Sequence, residues 1–241
     1  MKEILRLDAR LLEAGLVMSR QRGQDHIKNG QVRVDGITIL KPGHRVTRLQ
    51  TLEVDNADFL VSRSAHKLGE ALIACKVSLA GKVCLDIGAS TGGFTQVCLL
   101  GGAKKVYAND VGDQQLHPSL RNNPRVICLE NTHIKDLKLP EKVDFSCIDV
   151  SFISATKILH GLKEHLKAEA NVMLLVKPQF EVGREKLPSD GIVKNIYDQI
   201  QATKKVLNYA LKENYEFVSQ MKACITGKNG NQEYFLHLRT P

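Results

Sequence analysis

The sequence predicts an α/β protein in two parts. A small α+β unit is expected over residues 1–60, and a larger, mostly parallel sheet with an antiparallel last strand over residues 61–241. Three observations predict it. From residue 63 onward, short apolar runs alternate with helical patterns, the texture of strands covered on both faces. A glycine-rich turn, Gly88-Ala-Ser-Thr-Gly92-Gly93, follows the first of these runs. Ahead of them lies a separate hairpin signature at Asp35-Gly36.

In the N-terminal part, Leu5, Leu7, Leu11, Leu12 and Leu16 recur at helical spacing, and Gly15 and Ser19 interrupt them. A second helix is expected from Arg20 to Asn29, closed by Gly30. Val32–Val34 and Ile37–Ile39 flank the tight turn, Lys41-Pro42-Gly43 marks another turn, and Leu52–Val54 reads as a third strand. The link over Asn56–Ser62 has no Gly/Ser tract, which argues for a limited range of orientations.

In the larger part the expected strands are Val83–Leu85, Lys105–Ala108, Val126–Leu129, Phe145–Ile148 and Val172–Val176. Helices are expected near Phe94–Leu100, Gln114–Arg121 and Ile153–Leu166. A helix over Tyr197–Asn214 and a closing hairpin, Glu216–Cys224 with Glu233–Leu238, finish the chain.

With 241 residues, 43% apolar and 25% charged, the composition is that of an ordinary globular protein. No run approaches the ~18 apolar residues of a membrane span. The start, Met1 to Arg10, alternates charged with apolar residues, unlike a signal peptide. The net charge of +8 favours a polyanionic partner. Zero Trp and 5% aromatics argue against a surface built on base stacking. The six cysteines form no C-x-x-C pair and the histidines show no ligand spacing. Reduced thiols, no metal and a cytoplasmic location are therefore expected.

The N-terminal motifs Arg6-Leu-Asp8, Gly15-Leu16, Ser19-Arg20, Ile27-Lys-Asn-Gly30, Val32-Arg-Val34, Gly36 and Lys41-Pro42 resemble the S4 RNA-binding domain. Arg6, Arg10, Arg20, Arg22, Lys28, Arg33 and Lys41 are its candidate phosphate contacts.

Asp86-Ile-Gly88-Ala89-Ser90-Thr91-Gly92-Gly93-Phe94 joins a strand to a helix, the context of a nucleotide-type ligand at the carboxyl ends of parallel strands. The spacing is not that of a dinucleotide fold, and no lysine follows the glycines to make a phosphate loop. Asp86 offers a charge for a cationic group. Asp110, ending the second strand, is placed for ribose hydroxyls, and Glu130 and Asn131 lie where an adenine would sit. The combination suits S-adenosylmethionine, which carries a sulfonium and a ribose but no phosphate.

Lys67, Asp149, Lys177 and Glu233 occupy helix or strand ends that should line one crevice. Arg63 and Arg184 beside it are as readily surface cations as phosphate contacts. Phe152, Phe180 and Tyr234 are expected to pack rather than stack on a base. Ser90 and Ser151 lack a histidine at hydrolase spacing.

Over essentially its whole length the chain resembles the TlyA family, S4-domain proteins with an FtsJ-like 2′-O-ribose methyltransferase domain that have long carried the label haemolysin. The most specific stretches are Leu85–Thr95, Asp149–Ser154, Val176–Glu181, Gly191–Val193 and Gly230–Glu233. The resemblance implies a Rossmann-like methyltransferase sheet, S-adenosylmethionine as cofactor, and cytidines of ribosomal RNA, free or in subunits, as substrate. It maps a Lys-Asp-Lys-Glu tetrad onto Lys67, Asp149, Lys177 and Glu233. Lys177 is then the base or hydroxyl-orienting group, since a neighbouring cation eases loss of its proton. The competing readings are a non-catalytic RNA-binding or ribosome-assembly factor, a membrane-active cytolysin, and a dehydrogenase on a similar sheet.

Overall fold

The structure is a computed structural model that describes residues 4–14, 16–17, 20–55, 60–183, 185, 187–227 and 229–241. Gly15, Ser19, Arg184 and residues 56–59 of the link lie outside the described residues. The chain divides into two compact units, Met1–Val61 and Ser62–Pro241.

In the first unit, β1 (Ile4–Arg6) runs into α1 (Leu7–Glu13), followed by α2 (Arg20–Lys28), β2 (Val32–Val34), β3 (Ile37–Thr38), β4 (Arg45–Thr47) and β5 (Leu52–Val54). The order β3-β2-β5 forms one antiparallel sheet. Asp35 and Gly36 turn its hairpin with φ of 50° and 80°, both left-handed as a primed turn requires. Leu7, Leu11, Ile27, Val32 and Val46 fill the core.

Leu5, expected on a helical face, instead lies in β1, which pairs with β4 and sets Arg6 opposite Arg45. The pairing partner is some forty residues away, so no local pattern announces it.

The second unit begins with α3 (Ser64–Ala74), β6 (Val83–Ile87), α4 (Gly93–Leu100), β7 (Lys105–Asn109), α5 (Pro118–Arg121) and β8 (Val126–Leu129). It continues with β9 (Val143–Ile148), α6 (Thr156–Leu162), β10 (Leu166–Val176), α7 (Ile196–Lys212), β11 (Glu216–Lys222) and β12 (Tyr234–Arg239). The sheet order is β11-β12-β10-β9-β6-β7-β8. β6 to β10 are parallel, and β12 runs against both of its neighbours. β6 is buried along its whole length, which is why its residues read as one continuous apolar run around Asp86.

The helix expected to reach Leu166 ends at Leu162, and the strand expected from Val172 already begins at Leu166. Two other boundaries move for reasons of hydrogen bonding. The helix expected over Gln114–Arg121 shrinks to Pro118–Arg121, because the N–H groups of Gln114, Gln115 and Leu116 bond the Glu130 carboxylate. The helix expected from Ile153 starts at Thr156, because Ser154 and Ala155 bond Glu181.

Candidate active site

The parallel strands end along one edge, and the site is built there. β6 passes into Gly88, whose φ is 80° and where a Cβ would stand 2.6 Å from the Asp149 carbonyl oxygen. Side chains at Gly92 and Gly93 would collide with Leu120 and with Ser64 Oγ. These glycines therefore answer first to the chain's own packing of strand against helix.

Asp86 does not face a ligand space as expected. It is fully buried, and its Oδ2 accepts the Thr95 hydroxyl of α4 at 2.7 Å. Its Oδ1 has no hydrogen-bond partner. Burial pushes its carboxyl up, against the Thr95 bond and with the repulsion of Asp149, to about 7. A carboxyl raised in the folded state favours folding while protonated, so this contribution fades as pH rises from about 4 through about 7. Asp86→Asn keeps an acceptor for Thr95 without the charge. In urea titrations its stability relative to the parent is expected to be about 3 kcal/mol more favourable at pH 8 than at pH 5, the part of the loss that falls between those two values. Equal pH slopes would contradict the assignment.

Asp110 accepts the Ser90 N–H at 2.8 Å and the Gly112 N–H at 2.7 Å, one on each carboxylate oxygen. Lone pairs remain on both oxygens for ribose hydroxyls. Glu130 and Asn131, expected beside an adenine, are engaged by the chain itself. Glu130 is consumed by three backbone N–H groups and by Arg121 at 2.6 Å. The Arg121 bond, helped by the backbone donors and opposed by partial burial, holds its carboxyl at about 2. Asn131 bonds Asp113. Both residues brace the 110–116 loop.

A cavity of about 620 Å³ lies against Asp110, with Asn109, Val111, His133, Ile134, Val150 and Ile158 among its walls. A smaller one, about 180 Å³, is lined by Ala89, Ser90, Thr91, Phe94, Asp149 and Lys177. Gly88, Ser90, Asp149 and Ser151 line both. A third space of about 420 Å³ is bordered by Lys67, Lys177, Glu233, Phe152, Phe180 and Asn229.

The four tetrad candidates form two ion pairs. Lys67 of α3 donates to Glu233 Oε2 at 2.6 Å, with both side chains almost fully buried. Glu233 precedes β12, and the absence of a side chain at Gly227 leaves room for its carboxylate. Lys177, just past β10, stands 2.6 Å from Asp149 Oδ1, just past β9, at an angle outside hydrogen-bonding geometry. It also donates to Ser151 Oγ at 2.8 Å.

In the second unit, sequence reasoning missed three residues. Ser151 was weighed only as a nucleophile, yet it is a partner of Lys177. Asn231 is 2% exposed and binds Val193 N–H and the Gly191 carbonyl, tying together two of the motifs. Phe152, expected to pack, is 91% exposed with φ of 65°, its ring 5.3 Å from that of Phe180. Tyr234 does pack, donating to Gln199 at 2.6 Å.

In the first unit, fully buried Asp8 accepts two bonds from Arg6 at 3.0 Å, one from Arg20 at 3.1 Å and one from Gln24 at 2.8 Å. Burial would raise its carboxyl, but the Arg6, Gln24 and Arg20 bonds hold it well below the usual carboxylate range. The guanidiniums of Arg6 and Arg20 stay about half exposed. Lys28 and Lys41 are exposed, and Arg22 is half-buried. Arg10 lies 3.8 Å from Glu13. Arg33 is engaged by Glu53 of β5 and by Asp55 just past it. Arg45, missed in the sequence, faces Arg6 across the β1–β4 ribbon.

Comparison with known proteins follows the same division. The FtsJ-like methyltransferase family model matches residues 60–240, and the S4 domain model matches residues 5–49. The chain is 42% identical to the "16S/23S rRNA (cytidine-2'-O)-methyltransferase TlyA" of Mycobacterium tuberculosis, covering 98% of this chain and 90% of that one. It is 37% identical to "Hemolysin A" of Brachyspira hyodysenteriae, over 97% of this chain and 99% of that one. Among solved structures, a "putative hemolysin" from Streptococcus thermophilus superposes with a TM-score of 0.75 at 34% identity, covering 100% of this chain and 90% of that one. The chain belongs to the FtsJ-like methyltransferases, in the TlyA family that joins such a domain to an S4 domain.

Proposed function

We propose that the chain is an S-adenosylmethionine-dependent methyltransferase acting on the ribose 2′-hydroxyl of cytidine in ribosomal RNA, at work in the cytoplasm. The observation that carries this reading is the convergence of two lysine–carboxylate pairs on the strand edge that also holds the Asp110 cavity. The name of the Mycobacterium tuberculosis relative supports the substrate class.

The residues fit the cofactor. A cavity of about 620 Å³ falls within the usual range for small-molecule sites, about 300–1,000 Å³. Val111, Ile134, Val150 and Ile158 give it apolar walls for an adenine, and Asp110 supplies acceptors for a ribose. When bound, S-adenosylmethionine supplies an electrophilic methyl group on a sulfonium. Lys177 lines the space of about 180 Å³ that shares Gly88, Ser90, Asp149 and Ser151 with the large cavity, and also the outer space of about 420 Å³, so it is placed to orient a 2′-hydroxyl or, when neutral, to take its proton. Asp149 holds that amine by charge, and Ser151 fixes its direction. The Lys67–Glu233 pair borders the same outer space. A hydroxyl that gives up its proton to Lys177 or to water as it accepts the methyl group would develop no full negative charge, so positioning matters more here than stabilisation of a new anion. Phe152, its ring in solvent beside Lys177, offers a face on which the target base can stack.

In the first unit, Asp8 presets Arg6 and Arg20 for RNA phosphates. Asp8→Asn is expected to weaken binding to ribosomal RNA about tenfold and to flatten its salt dependence by one to two phosphate contacts. Filter binding at several salt concentrations checks this, and unchanged affinity would contradict it. Among the described residues no helix is long and apolar enough to cross a membrane.

The activity is tested by incubating the purified chain with labelled S-adenosylmethionine and unmodified ribosomal RNA, then digesting to nucleosides. Label in 2′-O-methylcytidine is expected. Label only on bases, or none, would overturn the reading.

A further inference from the structure

The segments 151–155 and 177–181 hold each other at both ends. At one end Lys177 Nζ donates to Ser151 Oγ at 2.8 Å. At the other, Glu181 is 3% exposed and uses both carboxylate oxygens. Its Oε2 accepts the Ser154 hydroxyl at 2.7 Å, and its Oε1 accepts the Ala155 N–H at 2.7 Å. Lys205 of α7 closes the arrangement from outside, donating to the Glu181 carbonyl at 2.9 Å and lying 3.5 Å from Oε2. Between the two ends stands Phe152, with its left-handed backbone and solvent-exposed ring. A non-glycine residue keeps such a conformation only where its surroundings over-determine it. The Phe152–Phe180 ring contact alone, with one ring almost wholly in water, does not supply that. Two charge-assisted bonds from a buried carboxylate do.

The geometry points to Glu181 as a positioning residue for methyl transfer. With Lys205 as its counter-ion, it fixes the 151–155 loop so that Ser151 meets Lys177 and Phe152 stands over the outer space. This inference rests on the methyltransferase reading and adds a residue to it. Glu181 lines none of the three cavities and acts through the loop alone.

The test compares the full-length parent with Glu181→Ala, Glu181→Gln and Ser154→Ala. Two readouts are used: amide hydrogen exchange over residues 151–156 without RNA, and steady-state methylation of ribosomal RNA. Glutamine keeps an acceptor for the Ala155 N–H, and the Ser154 hydroxyl can turn to accept from its amide. Glu181→Gln is therefore expected within about threefold of the parent in kcat and in exchange. Glu181→Ala is expected to raise exchange at Ala155 at least tenfold and to lower kcat at least tenfold. Lys177→Met serves as a comparison that removes the amine yet leaves the Ala155 exchange rate unchanged. Ser154→Ala, which retains the carboxylate and folds without a buried vacancy of charge, is expected to fall between parent and Glu181→Ala in both readouts. Parent-like exchange and kcat in Glu181→Ala, or in Ser154→Ala should the former not fold, would overturn the inference. So would a Glu181→Gln variant no better than Glu181→Ala. If the parent itself does not methylate RNA, the enzymatic reading fails while the exchange data still decide whether Glu181 holds the loop.

Discussion

Lys177→Ala is expected to slow methyl transfer by about 100- to 10,000-fold, the range that a positioned acid–base group contributes. The reason is local. Lys177 is the one tetrad residue that lines both the small space beside Asp149 and the outer space; its ammonium pairs by charge with Asp149 and donates its hydrogen bond to Ser151. Its removal leaves the large cavity against Asp110 intact, so S-adenosylmethionine affinity by calorimetry is expected to stay within a few-fold. RNA affinity is expected to hold as well, because the candidate phosphate contacts lie in the first unit. A kcat near that of the parent would show that the amine does not serve the hydroxyl. A parallel loss of cofactor affinity would show that it serves the cofactor instead.

The second large effect concerns the other pair. Glu233→Met leaves the Lys67 ammonium buried without its carboxylate, a change that costs about 3–5 kcal/mol in comparable buried pairs. At roughly 2–4 °C per kcal/mol for a chain of this size, the unfolding midpoint is expected to fall by about 10 °C. Adding Lys67→Met removes the stranded charge, and the double variant is expected to regain most of the midpoint, since apolar groups replace buried ion pairs at little cost. Activity is not expected to return with it, because the outer space then lacks one wall of charge. Thermal scans of the parent, the single and the double variant check the first part, and methylation assays the second. A single variant within 2 °C of the parent would mean that Lys67 finds another partner or reaches water.

Much of this was legible in the sequence because the larger unit is written in local signals. Val172–Val176 is apolar throughout and stops at Lys177, as a buried parallel strand ending in a crevice must. Asp35-Gly36 announced its own turn. What the sequence concealed depends on partners distant in the chain. β1 is a strand only because β4 lies beside it. Glu130 stands at the expected place, but three backbone N–H groups and Arg121 claim it, and no spacing rule counts such donors. Asp86 stands near the carboxyl end of β6, where a ligand contact is expected, but burial turns it towards Thr95. Phe152 was read as a packing residue because aromatic rings usually are. Its backbone is left-handed and its ring stands in water, which residue type alone does not announce.

The central claim is that Lys177 and its three charged companions methylate ribose in ribosomal RNA. The most direct measurement is a map of ribose methylation across ribosomal RNA from cells lacking this chain, complemented either with the parent or with Lys177→Ala. The account requires cytidine 2′-O-methylation that is absent from the deletion strain, restored by the parent and still absent with Lys177→Ala. An identical map in all three strains, or full restoration by the variant, would contradict it.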